Sequence, residues 1–217
     1  MNTTVAAVNK DNLSEYPQSI CFINPKHELY HKKVEWLHDQ FEHGLKIKLL
    51  YIEGQTKPVG FVEYLPGEQC WRAVDAEGYM FIHCLWTNGK KFQHQRLGSR
   101  LLEAVETSGR EQLVVKSFGS SPMPRLRDWQ GELEKYQGLH IVYSRQCPWV
   151  ARFIEEIKPI LAEHRLEPVI TELQTAAKAQ QAPSVYAVFN LIYNGKLLAD
   201  RYISTTRFQN ILKKELV

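Results

Sequence analysis

Apolar residues recur along this chain with two different periods, and the changes between them mark out its elements. Asn24-Pro25 reads as a helix start, with Asn as N-cap and Pro at the first helical position. Tyr30, Val34, Leu37 and Phe41 follow at helical spacing, and Gly44 is placed to stop the helix. Residues 45–53 and 59–65 read as two strands around the turn Gly54-Gln-Thr-Lys-Pro58. Residues 79–86, YMFIHCLW, are almost continuously apolar, the texture of a central strand covered on both faces. A basic polar loop follows. An amphipathic helix then opens at Gly98 and runs to residue 108, with Leu101, Leu102 and Val105 on one side. Residues 112–118, QLVVKSF, read as a further strand.

After Phe118 the period is lost. Gly119-Ser-Ser-Pro-Met-Pro-Arg-Leu-Arg-Asp128 is rich in turn residues, and residues 119–138 read as a linker ending at Gly138. A second pattern begins at Leu139, and residues 139–144 form a strand that meets Cys147-Pro148. The helix after it carries Val150, Phe153, Ile154, Ile157 and Leu161 on one face, and Pro159 should kink it or end it early. A strand at 168–173, a short helix at 175–181 and a long strand from Ser184 to Tyr193 complete the run to a hairpin. Asn194-Gly195 signals a type I′ turn, Lys196–Tyr202 the return strand, and Ser204 or Thr205 the cap of a last helix.

The length of 217 residues suits one large domain or two small ones. The net charge of +3 is too small for a general nucleic-acid binder. No apolar run reaches membrane-spanning length, and the first residues carry no secretory pattern, so a cytoplasmic protein is expected. Cys21, Cys70, Cys84 and Cys147 are scattered, with no CxxC pair and no zinc-like spacing. His27 and His31 stand at i,i+4 spacing, but no third ligand accompanies them, so no metal site is expected.

The junction between the 79–86 strand and the Gly98 helix is where chemistry is expected. A helix N-terminus presents free N–H groups and a partial positive charge, which together hold a pyrophosphate. The donors would come from Gln93, His94, Gln95, Arg96, Leu97, Gly98 and Ser99, with Lys90 and Lys91 nearby to attract phosphate. The plainer reading is a polar surface connection with a capped helix and solvated lysines.

The strand 79–86, the loop 87–97 and the helix after Gly98 resemble the GNAT superfamily of acyl-CoA N-acyltransferases. The family motif Gln/Arg-x-x-Gly-x-Gly/Ala is written here as Gln93-His94-Gln95-Arg96-Leu97-Gly98, with Arg96 in place of the first glycine. The segments SRQCPWVAR (144–152), QQAPSVYAVFNLIYNGKLLADRYIS (180–204) and TTRF (205–208) are similar to the YoaP-like domain found at the C-terminus of some bacterial GNAT proteins. The segment 65–86 resembles the N-terminal half of those two-domain proteins.

The resemblance implies an α/β (α+β) protein: a GNAT-type mixed sheet with flanking helices over residues 1–118, then a small thioredoxin-like domain over 139–217. It implies acetyl-CoA as cosubstrate, with Leu85 and Trp86 pairing the pantetheine arm. Direct attack by a small-molecule or peptide amine is implied. Glu63 and His83 are the candidate bases, each with a plainer reading as an outward strand residue or a satisfied core histidine. Tyr64 and Cys84 are candidate lining residues. Only the strand 112–118 stands where the family continues with further strands and a helix, and a homodimer would supply the missing wall. Cys147 falls where thioredoxin-like domains keep a reactive thiol, at a helix N-terminus that favours thiolate, and Pro183 where they keep a cis-proline. Val150 occupies the second cysteine position, so dithiol exchange is excluded. Two rivals to acetyl transfer stay open: a non-catalytic CoA-binding or protein-interaction module, and a monothiol redox protein using Cys147.

Overall fold

The computed structural model describes all residues except 1, 18–20, 22, 88–91, 93, 107–122 and 217. The chain folds as two compact units: residues 1–70 with 75–125, and residues 71–74 with 126–217.

The first unit is built on an antiparallel sheet. Its strands are β1 (Thr3–Val8), β2 (Lys46–Ile52), β3 (Gly60–Pro66) and β5 (Met80–Thr87), in the order β1-β2-β3-β5. Helix α1 (Glu28–Glu42) lies on one face, and helix α2 (Leu97–Glu106) covers the other. Under α2 the core is Leu50, Ile52, Val62, Tyr64 and Met80 against Leu97, Leu101 and Val105. Gly60 permits that approach, because a Cβ there would lie 2.9 Å from the Trp86 carbonyl oxygen and 3.0 Å from Leu101. A short pair, β4 (Val74–Asp75) with β6 (Arg125–Leu126), is separate from this sheet.

The second unit has strands β7 (Leu139–Ser144), β8 (Val169–Leu173), β9 (Phe189–Tyr193) and β10 (Lys196–Ala199), in the order β10-β9-β7-β8. β7 and β8 are parallel, and the other pairs are antiparallel. Helix α3 (Pro148–Glu163) makes the crossover, with α4 (Ala176–Ala179) and α5 (Thr205–Glu215) after it. Phe153 sits edge-on to both Phe189 and Phe208 at the centre of this core.

Several expectations need correction. Helix α1 starts at Glu28, not at Pro25: Asn24 caps a preceding turn, and His27 is the N-cap, accepting from the Leu29 amide. Its buried stripe is Leu29, Lys33, Trp36, Leu37 and Gln40, rotated from the apolar one read in sequence, because two polar residues face inward. Pro159 does not end α3, which continues to Glu163. β9 starts only at Phe189, since Ala187 takes a positive φ of 53° and breaks the extended run. No cis peptide occurs among the described residues, so Pro183 follows a trans bond. β5 is last in the strand order among the described residues, with α2 on one of its faces and the Glu63–Lys33 pair of α1 on the other. The strand expected at 112–118, the start of the linker at 119–122, and Lys90, Lys91 and Gln93 lie outside the described residues.

Candidate active site

Two features of the first unit meet on β5. One is a β-bulge. Glu63 pairs with Cys84 but Tyr64 pairs with Ile82, so His83 is the extra residue of β5. Ile82 and Leu85 therefore both pack toward the α2 side, and His83 and Cys84 both turn to the Glu63 side. The bulge brings His83 Nδ1 to 3.7 Å from Glu63 Oε1, longer than a direct hydrogen bond.

Glu63 is in turn paired with Lys33 of α1, whose Nζ donates to Oε2 at 2.9 Å, with side chains only 2% and 1% exposed. Lys33 Nζ also lies 3.9 Å from the Trp36 ring centroid. Burial on its own pushes the Glu63 carboxyl up, but the Lys33 ammonium and then His83 pull harder and bring it down to about 2. Burial pulls the Lys33 ammonium down, yet the facing Glu63 carboxylate leaves it raised. Glu63 is thus a buried, ionised member of a pair. The sequence named Glu63 and His83 together but missed Lys33. A lysine within a helix is ordinarily read as solvated, and only its i,i+3 relation to Trp36 hinted otherwise.

The second feature is the N-terminus of α2. His94 and Arg96 both take positive φ, at 64° and 55°. Arg96 therefore adopts the left-handed conformation that glycine enters without steric cost. The helix's first backbone bond runs from Arg100 N to Arg96 O at 3.1 Å. Helix geometry leaves the amides of Leu97, Gly98 and Ser99 with no intrahelical acceptor. His94, Gln95, Arg96 and Ser99 are exposed, Leu97 is buried, and Gly98 is half-buried. A Cβ built on Gly98 would meet nothing within 4 Å. The packing of the protein does not require this glycine, and its bareness keeps open space over the helix end.

Leu85 and Trp86 lie on β5, the strand leading to that helix. Leu85 is half-buried against the α2 core, and the Trp86 side chain is 55% exposed. Tyr64 is fully buried beneath α2, so it belongs to the core, while Cys84 is half-buried. Among the described residues no cluster of three metal-ligating side chains occurs. No helix of the described residues is long and apolar enough to cross a membrane.

In the second unit, Cys147 is the N-cap residue of α3 with Pro148 behind it, and it is not part of a disulfide. The preceding Gln146 is buried and accepts from Arg72 Nη1. Ser144 and Ser184 are buried as well. The sequence pointed to Cys147 but gave no sign of Arg72, which stands some 70 positions upstream of this turn.

The sheet, the bulge and the bare helix end define an acyltransferase-type unit, and the comparison with known families agrees. The chain belongs to the acetyltransferase (GNAT) family, whose sequence model matches residues 8–120. It is an acetyltransferase by that membership. A second model, described as YoaP-like, matches residues 169–210. The chain is similar to the uncharacterized N-acetyltransferase YoaP of Bacillus subtilis (strain 168), 20% identical over 94% of this chain and 96% of that protein. Among solved structures it is similar to AAC(6′)-Iy in complex with the bisubstrate analog CoA-S-monomethyl-acetylneamine. The identity there is 16%, over 50% of this chain and 72% of that one, with a TM-score of 0.36. A GNAT-family acetyltransferase from Staphylococcus aureus Mu50 matches at 14% identity, over 49% and 65% of the two chains, with a TM-score of 0.31.

Proposed function

We propose that the chain transfers the acetyl group of acetyl-CoA to an amine by direct attack. The observation that carries this is the α2 N-terminus, where the first amides lack intrahelical acceptors and a Cβ on Gly98 would meet nothing within 4 Å. These amides, of Leu97, Gly98 and Ser99, hold the diphosphate of the cosubstrate. Arg96 keeps the left-handed turn that a glycine would otherwise supply, and its exposed guanidinium adds a charge-assisted contact. The backbone of β5 at Leu85 and Trp86 is the proposed partner of the pantetheine arm, in the way an extended ligand adds to a strand.

In the reaction the neutral amine nitrogen attacks the thioester carbonyl carbon. The C–S bond breaks, the electron pair leaves on sulfur, and the proton released by nitrogen neutralises the thiolate. Glu63 is buried and held ionised by Lys33, which suits it poorly to take a proton from a substrate. Its role in this reading, with His83, is to fix the β5 bulge so that the strand presents its backbone at a set angle.

Residues 1–118 form the catalytic domain, 119–138 the linker and 139–217 a thioredoxin-like domain. The β10-β9-β7-β8 order with a parallel β7–β8 crossover supports that last assignment. Cys147, at the start of α3, is its candidate thiol.

Incubation of the full chain with acetyl-CoA and a panel of primary amines tests the proposal. Amine-dependent release of free thiol is the expected result. Saturable CoA binding with no thiol release on any amine would instead make the chain a CoA-binding module.

A further inference from the structure

The sheet face opposite α2 carries an open groove that the cosubstrate site does not use. Its open volume is about 390 Å³, lined by Glu15, Tyr16 and Pro17 from one segment and by Tyr51, Thr56, Lys57 and Pro58 from another. That volume lies in the range of small-molecule sites. Leu50 and Ile52 of β2 point into the α2 core, so Tyr51 between them points the other way. Phe61 faces that side too, and so does Trp86, its partner on β5. Tyr51 and Trp86 thus share one face of the sheet, two strands apart and two residues out of register, a separation of about 12 Å. Tyr16 also lines a second, small cavity of about 10 Å³ that reaches Glu63. The groove therefore opens on the face that carries the bulge, across the sheet from the helix that would hold phosphate.

Its chemistry is selective. Two phenol rings and two proline rings offer flat faces within a lining that is both polar and apolar, which suits an aromatic ring with polar ends. Glu15 and Lys57 place opposite charges on the two walls, and neither is ion-paired among the described residues. A ligand that satisfies all three features carries an ammonium, a carboxylate and an aromatic side chain. We propose that this groove binds the acceptor, and that the acceptor is a zwitterionic aromatic amino acid. This rests on the acetyl-transfer reading for its catalytic meaning, but the binding itself does not. Glu15 draws in the ammonium form. Its exposure to water lets the amine lose its proton to solvent before attack on the thioester carbon.

The test uses the full chain without acetyl-CoA, titrated with L-tyrosine, with tyramine, which lacks the carboxylate, and with 3-(4-hydroxyphenyl)propionate, which lacks the ammonium. Tyrosine should bind saturably, and the other two at least tenfold more weakly. Glu15→Gln should weaken tyrosine and tyramine at least fivefold and leave the propionate unchanged. Lys57→Gln should weaken tyrosine and the propionate and leave tyramine unchanged. Both residues are exposed, so both variants should fold. Absence of tyrosine binding, or binding that neither variant alters, overturns the proposal. Thiol release is then measured with acetyl-CoA. Tyrosine binding without release, while other amines are acetylated, keeps the groove's ligand and overturns its role as acceptor. Release with other amines that ignores Glu15→Gln keeps the transfer reading and removes the groove.

Discussion

Lys33 and Glu63 carry opposite charges where almost no water reaches them. Two charges so buried are tolerated only because each answers the other, and removal of one partner strands its mate. Glu63→Gln should therefore cost about 3–5 kcal/mol in urea unfolding, while the double change Lys33→Met with Glu63→Leu should recover most of it. The pH dependence has a fixed sign. The Glu63 carboxyl is held at about 2, below its ordinary 4.5. Its contribution is complete above the ordinary value and is lost as pH falls through about 2. Stability should decline across that acid window in the native chain and be flatter in the double variant. At this scale the sequence was legible in part. Glu63 and His83 were visible as polar residues in apolar strands. The extra residue that turns His83 toward Glu63 was not, because a bulge leaves no mark in a continuous apolar run such as YMFIHCLW.

Elements were read best where the chain carries its own punctuation. The Asn194-Gly195 hairpin and the Ser204 cap stand as the sequence placed them, with φ of 45° and 77° in the turn and Ser204 Oγ accepting from Arg207 N. β1 was missed because TTVAAV is small-sided and mostly exposed, with no alternation strong enough to read. α1 was rotated in the reading because its inward stripe holds Lys33 and Gln40. β9 was drawn too long because nothing in Ser-Val-Tyr-Ala-Val announces the left-handed turn at Ala187. One glycine, at the turn after β3, is required by close approach alone. A Cβ on Gly67 would sit 1.9 Å from the Ala76 carbonyl oxygen, which is backbone and cannot give way. Gly67→Ala should force the turn open, with a lowered urea midpoint and faster amide exchange in residues 67–79. An unchanged midpoint would contradict the packing described for that turn.

At the scale of the molecule, each unit has its own sheet and its own core, and the family match covers the first while the YoaP-like match lies within the second. The sequence divides the chain at the loss of periodicity after Phe118, while the compact units divide between Arg125 and Leu126. The return of residues 71–74 to the second unit was not legible, since it depends on hydrogen bonds such as Ala73 N to Val185 O at 3.3 Å. In the second unit the aromatic trio of Phe153, Phe189 and Phe208 closes the core. Phe153→Ala should cost about 3–5 kcal/mol and speed amide exchange in β7 and β9.

The assignment as a whole stands on the end of α2. Calorimetric titration of acetyl-CoA into the native chain and into Gly98→Asp tests it most directly. A Cβ at this position meets nothing within 4 Å, and an aspartate suits a helix N-terminus by about 0.3–1 kcal/mol, so the variant should fold at least as stably. It also sets a negative charge where the diphosphate would lie. The account predicts saturable binding to the native chain and at least tenfold weaker binding to the variant, with no loss in urea midpoint. Equal affinity in the two proteins, or no binding to the native chain at millimolar ligand, would contradict it.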